Sequence, residues 1–175
     1  MAISLHTATI RGWLQTLGAA KGLLDKAETF AGEQGSGEEV FLQSRLIDDM
    51  LPLAYQFKSC WTHTAAALDG VRKGLFSPEM TPPPGTFAGL RELLDDAEEK
   101  SRAITEDELD SLAENDLVFT IGDKFRLDFT VQDFLLGFST PNLHFHCTTA
   151  YDILRMKGVN IGKRDYLGAL PVKVD

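Results

Sequence analysis

Apolar residues recur at alternating three- and four-residue steps over the first thirty positions. Ile10, Trp13, Leu17, Ala20, Leu24 and Ala27 form one stripe, the signature of a helix that buries one face, and predict a helix over 5–30. Gly32, Gly35 and Gly37 end it. Leu46, Met50, Leu53, Phe57, Cys60, Thr64, Ala67 and Val71 keep a heptad register and predict a second helix over 39–73, kinked at Pro52. Gly74, Pro78 and the run Pro82-Pro83-Pro84-Gly85 then mark a long linker. Thr86 suits an N-cap, and Phe87, Leu90, Leu93, Leu94 and Ala97 supply the inner face of a third helix reaching Ile104. Residues 117–130 are rich in β-formers on both sides of Gly122-Asp123 and predict a β-hairpin lying outside the helical core. A fourth helix is expected from Val131 to Lys157, with Pro141 inside it and Gly158 just beyond its end. The tail, 159–175, has too few periodic apolar positions for another long helix. These elements predict an all-α fold: an up-down-up-down four-helix bundle with a small β-hairpin insertion before the last helix, in one domain spanning 1–175.

Composition narrows the function. Hydrophobic residues are 43% and charged residues 25%, as expected of a folded chain. The apolar runs are too short to cross a bilayer, and the start lacks a basic region followed by a long apolar stretch, so a cytoplasmic protein with no membrane partner is expected. Cys60 and Cys147 are the two cysteines, which argues against a disulfide scaffold and for buried, inert thiols. Net charge is −9, and it is concentrated. Asp95, Asp96, Glu98, Glu99, Glu106, Asp107, Glu108, Asp110, Glu114 and Asp116 stand against only Lys100 and Arg102 in that stretch. Without a basic stripe, no nucleic-acid partner is expected. The acidic block lacks the ligand spacing of a calcium loop and reads as solvated surface.

In a helical bundle, functional groups sit on inward-facing helix positions. On the second helix Asp49, Gln56 and His63 are spaced by seven, so they share one flank of the core stripe. On the fourth, Asn142, His146 and Thr149 present an amide, an imidazole and a hydroxyl on one face. Counting from the expected helix starts puts Gln56 and His146 at similar depth. The plainer readings are a core histidine at 146, an Arg45–Asp49 salt bridge, and partial exposure of His63 and His144. A zinc site from Cys60, His63, His146 and Cys147 is disfavoured, because adjacent residues point about 100° apart on a helix. Gly158 to Arg164 looks like a phosphate-binding loop but is one residue short and follows a helix.

Two blocks carry a resemblance. One is Arg45-Leu-Ile-Asp-Asp49-Met50-Leu-Pro52-Leu53 with Gln56 behind it. The other is Pro141-Asn142-Leu-His-Phe145-His146-Cys-Thr-Thr149-Ala150-Tyr151-Asp152-Ile153-Leu154-Arg155, continuing through Gly158-Val159, Gly162-Lys163 and Asp165-Tyr166-Leu167-Gly168. Over nearly the whole chain the sequence resembles a bacterial domain-of-unknown-function family in the DinB/YfiT-like helical-bundle superfamily. The resemblance implies a four-helix bundle, frequent homodimers, and often a divalent metal held by one histidine of helix two and a pair four apart on helix four. Here His146 matches one of that pair and Asn142 stands where the other would be. Asp49 or Gln56 would have to replace the helix-two ligand. Amides are poor ligands for zinc or nickel, so a weakly bound metal on His146 and Asp49 is the expectation.

Two functional readings stay open. One is a metal-assisted or general-base enzyme with a pocket of Asp49, Gln56, Asn142, His146, Thr149 and Tyr151. The other is a non-catalytic dimeric binding or stress-related module that has lost its metal. Apolar residues off the main stripes, Leu14, Leu23, Leu42, Ile47, Leu51, Ala54 and Trp61, add a second argument for a homodimer, because each bundle helix buries one arc.

Overall fold

The computed structural model describes residues 3–173, so the two positions at each end of the expected 1–175 unit lie outside the described residues. Ser4 opens helix α1 (Leu5–Glu33) by accepting the Thr7 N–H on its hydroxyl, satisfying a donor that a helix start leaves free. Helix α2 (Glu38–Leu42) is short. Helix α3 is composite: Leu53–Trp61, a π turn over Thr62–Ala66, and Ala67–Lys73. Strand β1 (Leu75–Phe76) follows. Thr86 and Thr105 cap helices α4 (Phe87–Ala103) and α5 (Glu106–Ser111). Strands β2 (Asp116–Ile121) and β3 (Phe125–Thr130) lead into helix α6, which runs Val131–Asp133, a π turn over Phe134–Ser139, and Thr140–Met156. Helix α7 (Lys163–Leu167) packs against α1.

The fold is mostly helical. Helices α1 and α3 each pack against both α4 and α6, so the four long helices enclose one core. Trp13, Leu17 and Leu24 of α1, Phe57 and Leu68 of α3, Leu90 and Leu94 of α4, and Leu143 and Ile153 of α6 are fully buried. Each such side chain contributes about 1.5–3 kcal/mol by leaving water. Trp13 also donates its indole N–H to the Thr140 hydroxyl at 2.8 Å, so the bulkiest core residue carries no unpaired donor. Among the described residues no helix is long and apolar enough to cross a membrane.

Two expectations need correction. The second helix does not run unbroken from 39 to 73. Residues 43–52 form a loop, and Pro52 sits at the start of α3 with extended backbone, φ −73° and ψ 170°. Proline cannot donate to the preceding turn and favours a helix start over an interior. The Leu53 N–H is taken by the Ser44 carbonyl instead, at 2.8 Å. The heptad register is therefore core only from Leu53 onward, while Leu46, Ile47 and Leu51 are exposed.

The hairpin, secondly, is not outside the core. It belongs to a three-stranded sheet in which β1 pairs parallel to β2 and β2 pairs antiparallel to β3. Leu117 and Phe119 are buried with the helices, while Phe125 and Leu127, on the same sheet face in the edge strand β3, are exposed. A two-residue strand adjoining the Gly74 helix stop gives no periodic signal, so sequence pattern does not disclose it.

Gly74 joins the two parts. It ends α3 in the left-handed region at φ 65°, and its carbonyl accepts the Val118 N–H at 3.0 Å. A Cβ there would lie 3.2 Å from the Asp116 carbonyl oxygen. Gly74→Ala is expected to cost about 1–2 kcal/mol, the usual penalty for a side chain in that conformation, read as a lower urea midpoint at unchanged m-value.

Candidate active site

The site lies where α3 and α6 face each other. Local sequence explains its unusual backbone. The hydroxyls of Thr62 and Thr64 donate to the carbonyls of Lys58 and Cys60 at 3.1 and 2.6 Å, drawing acceptors away from the regular ladder. The chain widens there into the π turn that carries His63. At the end of the second π turn, the Ser139 hydroxyl donates to the His63 carbonyl at 3.1 Å. The two irregular turns thus meet at one point, a placement common at functional sites.

Three side chains set the chemistry. The Gln56 amide nitrogen donates to the Leu51 carbonyl at 2.8 Å. That carbonyl can only accept, so the amide oxygen must face His146, whose Nδ1 lies 2.8 Å away. His146 therefore carries its proton on Nδ1 and leaves the lone pair on Nε2. Burial lowers its pKa to about 4, so the ring is neutral near pH 7. The His63 ring lies nearly parallel to it, with centroids 5.7 Å apart and planes 11° apart. Burial, and secondarily the neighbouring His146, lowers the His63 pKa to about 3. His63 Nδ1 is buried and has no hydrogen-bond partner among the described residues.

These rings line a cleft of about 180 Å³ between α3, α6 and the sheet. Tyr55, Ser59, Thr62 and Asn142 add polar groups, and Phe119 and Phe138 form an apolar wall. Phe138 contacts both the His63 ring and Phe119, at 5.8 and 4.9 Å between centroids. Lys58, almost wholly buried, reaches the same cleft.

The pocket residues expected from sequence separate into two groups. Gln56, His146 and Asn142 are brought together around the cleft, although the Asn142 amide is occupied by the Phe138 carbonyl at 2.8 Å. Asp49, Thr149 and Tyr151 are not cleft residues. Asp49 is exposed in the 43–52 loop, and Arg45 donates to the Met50 carbonyl rather than to its carboxylate. Thr149 bonds the Phe145 carbonyl at 2.8 Å, and Tyr151 packs on Tyr166. His63, expected to be partly exposed, is 8% exposed. The seven-residue spacing from Gln56 was its available signal.

Comparison with known proteins decides the family. The model of a domain of unknown function, DUF1993, matches residues 5–167. The chain belongs to that family. It is also similar to the crystal structure of a DinB family member protein from Shewanella denitrificans, at 29% identity and a TM-score of 0.76, over 98% of this chain and 96% of that one. No curated protein matches the chain.

The DinB-like likeness raises the question of a divalent metal, and the donor set answers it. Among the described residues no three histidine, cysteine, aspartate or glutamate side chains converge as ligands. His146 Nδ1 is committed to Gln56. Cys60 is held as a neutral thiol, its pKa raised by a side-chain hydrogen bond with Cys147 and by burial. Two imidazoles do not make a tight zinc or nickel centre.

The two histidines also set a pH dependence. Both have folded-state pKa values below the ordinary 6.5, so the unfolded chain binds the extra protons and stability falls as pH drops below about 6.5. Above 6.5 they contribute no slope. By pH 4 the loss should be about 3 kcal/mol per histidine. Urea melts at pH 7, 6, 5 and 4.5 should show this slope in the parent and only about half of it in His63→Phe.

Proposed function

We propose that the cleft between α3 and α6 is a small-molecule site in which His146, through Nε2, acts as a neutral general base. One observation carries this reading: the Gln56 amide, itself anchored to a backbone carbonyl, fixes the tautomer that leaves the lone pair free. A base held in one orientation in a cleft with an apolar wall is placed to take a proton from a bound substrate. His63 is also uncharged, so the two stacked rings do not repel each other. The reading takes the four long helices as an up-down-up-down bundle and routes no step through a metal.

Thermal-shift screening of small organic compounds provides the test. Compounds that stabilise the parent should lose at least about tenfold in affinity in His146→Phe and in Gln56→Leu, as expected when a buried polar contact loses its partner. Hits that bind both variants as they bind the parent would overturn the assignment. Calorimetric titration with zinc and nickel should give weak binding that vanishes in His146→Ala. Tight binding that survives that substitution would place the metal elsewhere.

A homodimer is a second part of the proposal, supported by apolar side chains left at the surface near the site. Ile47 is 61% exposed and Phe145, whose ring abuts His146, is 56% exposed. A partner subunit would cover such exposed apolar side chains. Light scattering at micromolar concentration should give about twice 19.3 kDa. A mass of one chain that persists on concentrating would exclude the dimer.

A further inference from the structure

The segment 77–85 crosses one side of the cleft, between β1 and the cap of α4. Pro78 and Glu79 line the cleft. Its ends are fixed: Phe76 pairs with Phe119 in the sheet, and Pro84 packs so closely on Gly89 that a Cβ there would lie 2.8 Å away. Between those ends it is barely attached. Among the described residues its backbone makes no hydrogen bond to another backbone group. Met80, at its tip, is 80% exposed, so the one long apolar side chain of the segment does not anchor it.

What does hold it is Lys58. This side chain is 4% exposed, and its ammonium donates to the Thr81 carbonyl and hydroxyl at 2.6 and 2.8 Å, with the Glu79 carbonyl at 3.5 Å. It forms no ion pair among the described residues. The nearest counter-charge acts through the Thr81 hydroxyl, which donates to the Glu79 carboxylate at 2.5 Å. A buried cation satisfied by neutral oxygens is costly to leave unpaired. The polar attachment of the segment is therefore concentrated in one group.

We propose that the 77–85 segment is a lid over the imidazole cleft and that Lys58 is its latch. The inference rests on the cleft being the site proposed above. Pro78, Pro82, Pro83 and Pro84 restrict the backbone, so the segment swings about its ends as a stiff unit. Glu79 also borders the adjoining hollow beside Trp61 and Lys73. Opening the lid joins that hollow to the cleft and admits a ligand larger than the closed volume.

Two readouts on the full chain test this. Glutamyl endopeptidase, with cleavage located by mass spectrometry, reports opening at Glu79, because cleavage follows the population of the open form. Carbethoxylation by diethyl pyrocarbonate reports access to His63 and His146, with exposed His144 as internal control. Lys58→Met keeps the aliphatic stem and removes the charge, a change that a buried site tolerates. It should speed cleavage at Glu79 and modification of both cleft histidines about tenfold, with His144 modification and α1 hydrogen exchange unchanged. Thr81→Val removes one acceptor at an exposed position and should give a smaller change in the same direction. It keeps the test open if Lys58→Met does not fold. Rates within twofold of the parent would overturn the latch. Faster cleavage without faster histidine modification would overturn the lid while leaving the general base standing, since neither readout depends on catalysis.

Discussion

Packing α3 against α6 brings two imidazoles, an amide and an ammonium into a largely buried seam. Polar groups can remain there only if uncharged or fully partnered. Gln56 meets the demand by bridging the Leu51 carbonyl and His146. Lys58 meets it by reaching backbone and hydroxyl oxygens of the 77–85 segment. The two histidines meet it by staying neutral. The loop before α3, the linker after β1 and the orientation of the base are all consequences of satisfying this seam.

The outer surface follows a different rule. Within 95–116, Asp95, Asp96, Glu98 and Glu108 enter short-range ion pairs. Lys21 bridges Asp95 and Glu98, Lys100 bridges Asp69 and Asp96, and Arg72 pairs with Glu108. All are partly exposed, so each contributes little to stability. They tie α4 and α5 to α1 and α3.

Periodic apolar stripes disclosed the four long helices and most of the core, because burial of one face leaves a clear imprint at 3.6 residues. They misled where a proline allowed two outcomes. Pro52 was read as a kink and proved to be a start, since the heptad spacing of Leu46 and Met50 continued across a loop by coincidence. In the site, the meeting of Gln56 and His146 agrees with the sequence, although the count from position 39 does not hold: Gln56 lies in the first turn of α3. Asp49 was lost with the mistaken helix. His63 was undervalued because its burial depends on Phe138 and Phe76 arriving from distant elements, and local pattern does not encode such contacts. The strand β1, two residues long, was beyond the reach of any periodicity.

The π turns have a consequence for how this family tolerates change in length. A π turn holds one residue more than the α turn it interrupts. Removing a single residue from Thr62–Ala66 would let the helix relax to regular geometry with its two halves in nearly the same relative orientation, because the wide turn spends one extra residue on about the same arc. Removing a residue from a regular stretch of α3 would instead rotate one half against the other by about 100°. Either His63 and the residues behind it, or Gln56 and Lys58 ahead of it, would then turn away from α6. The irregular turn is therefore a phase adjuster: it lets two helical segments of different apolar phase face the same neighbour, and it marks the place in α3 where the loss of one residue is absorbed.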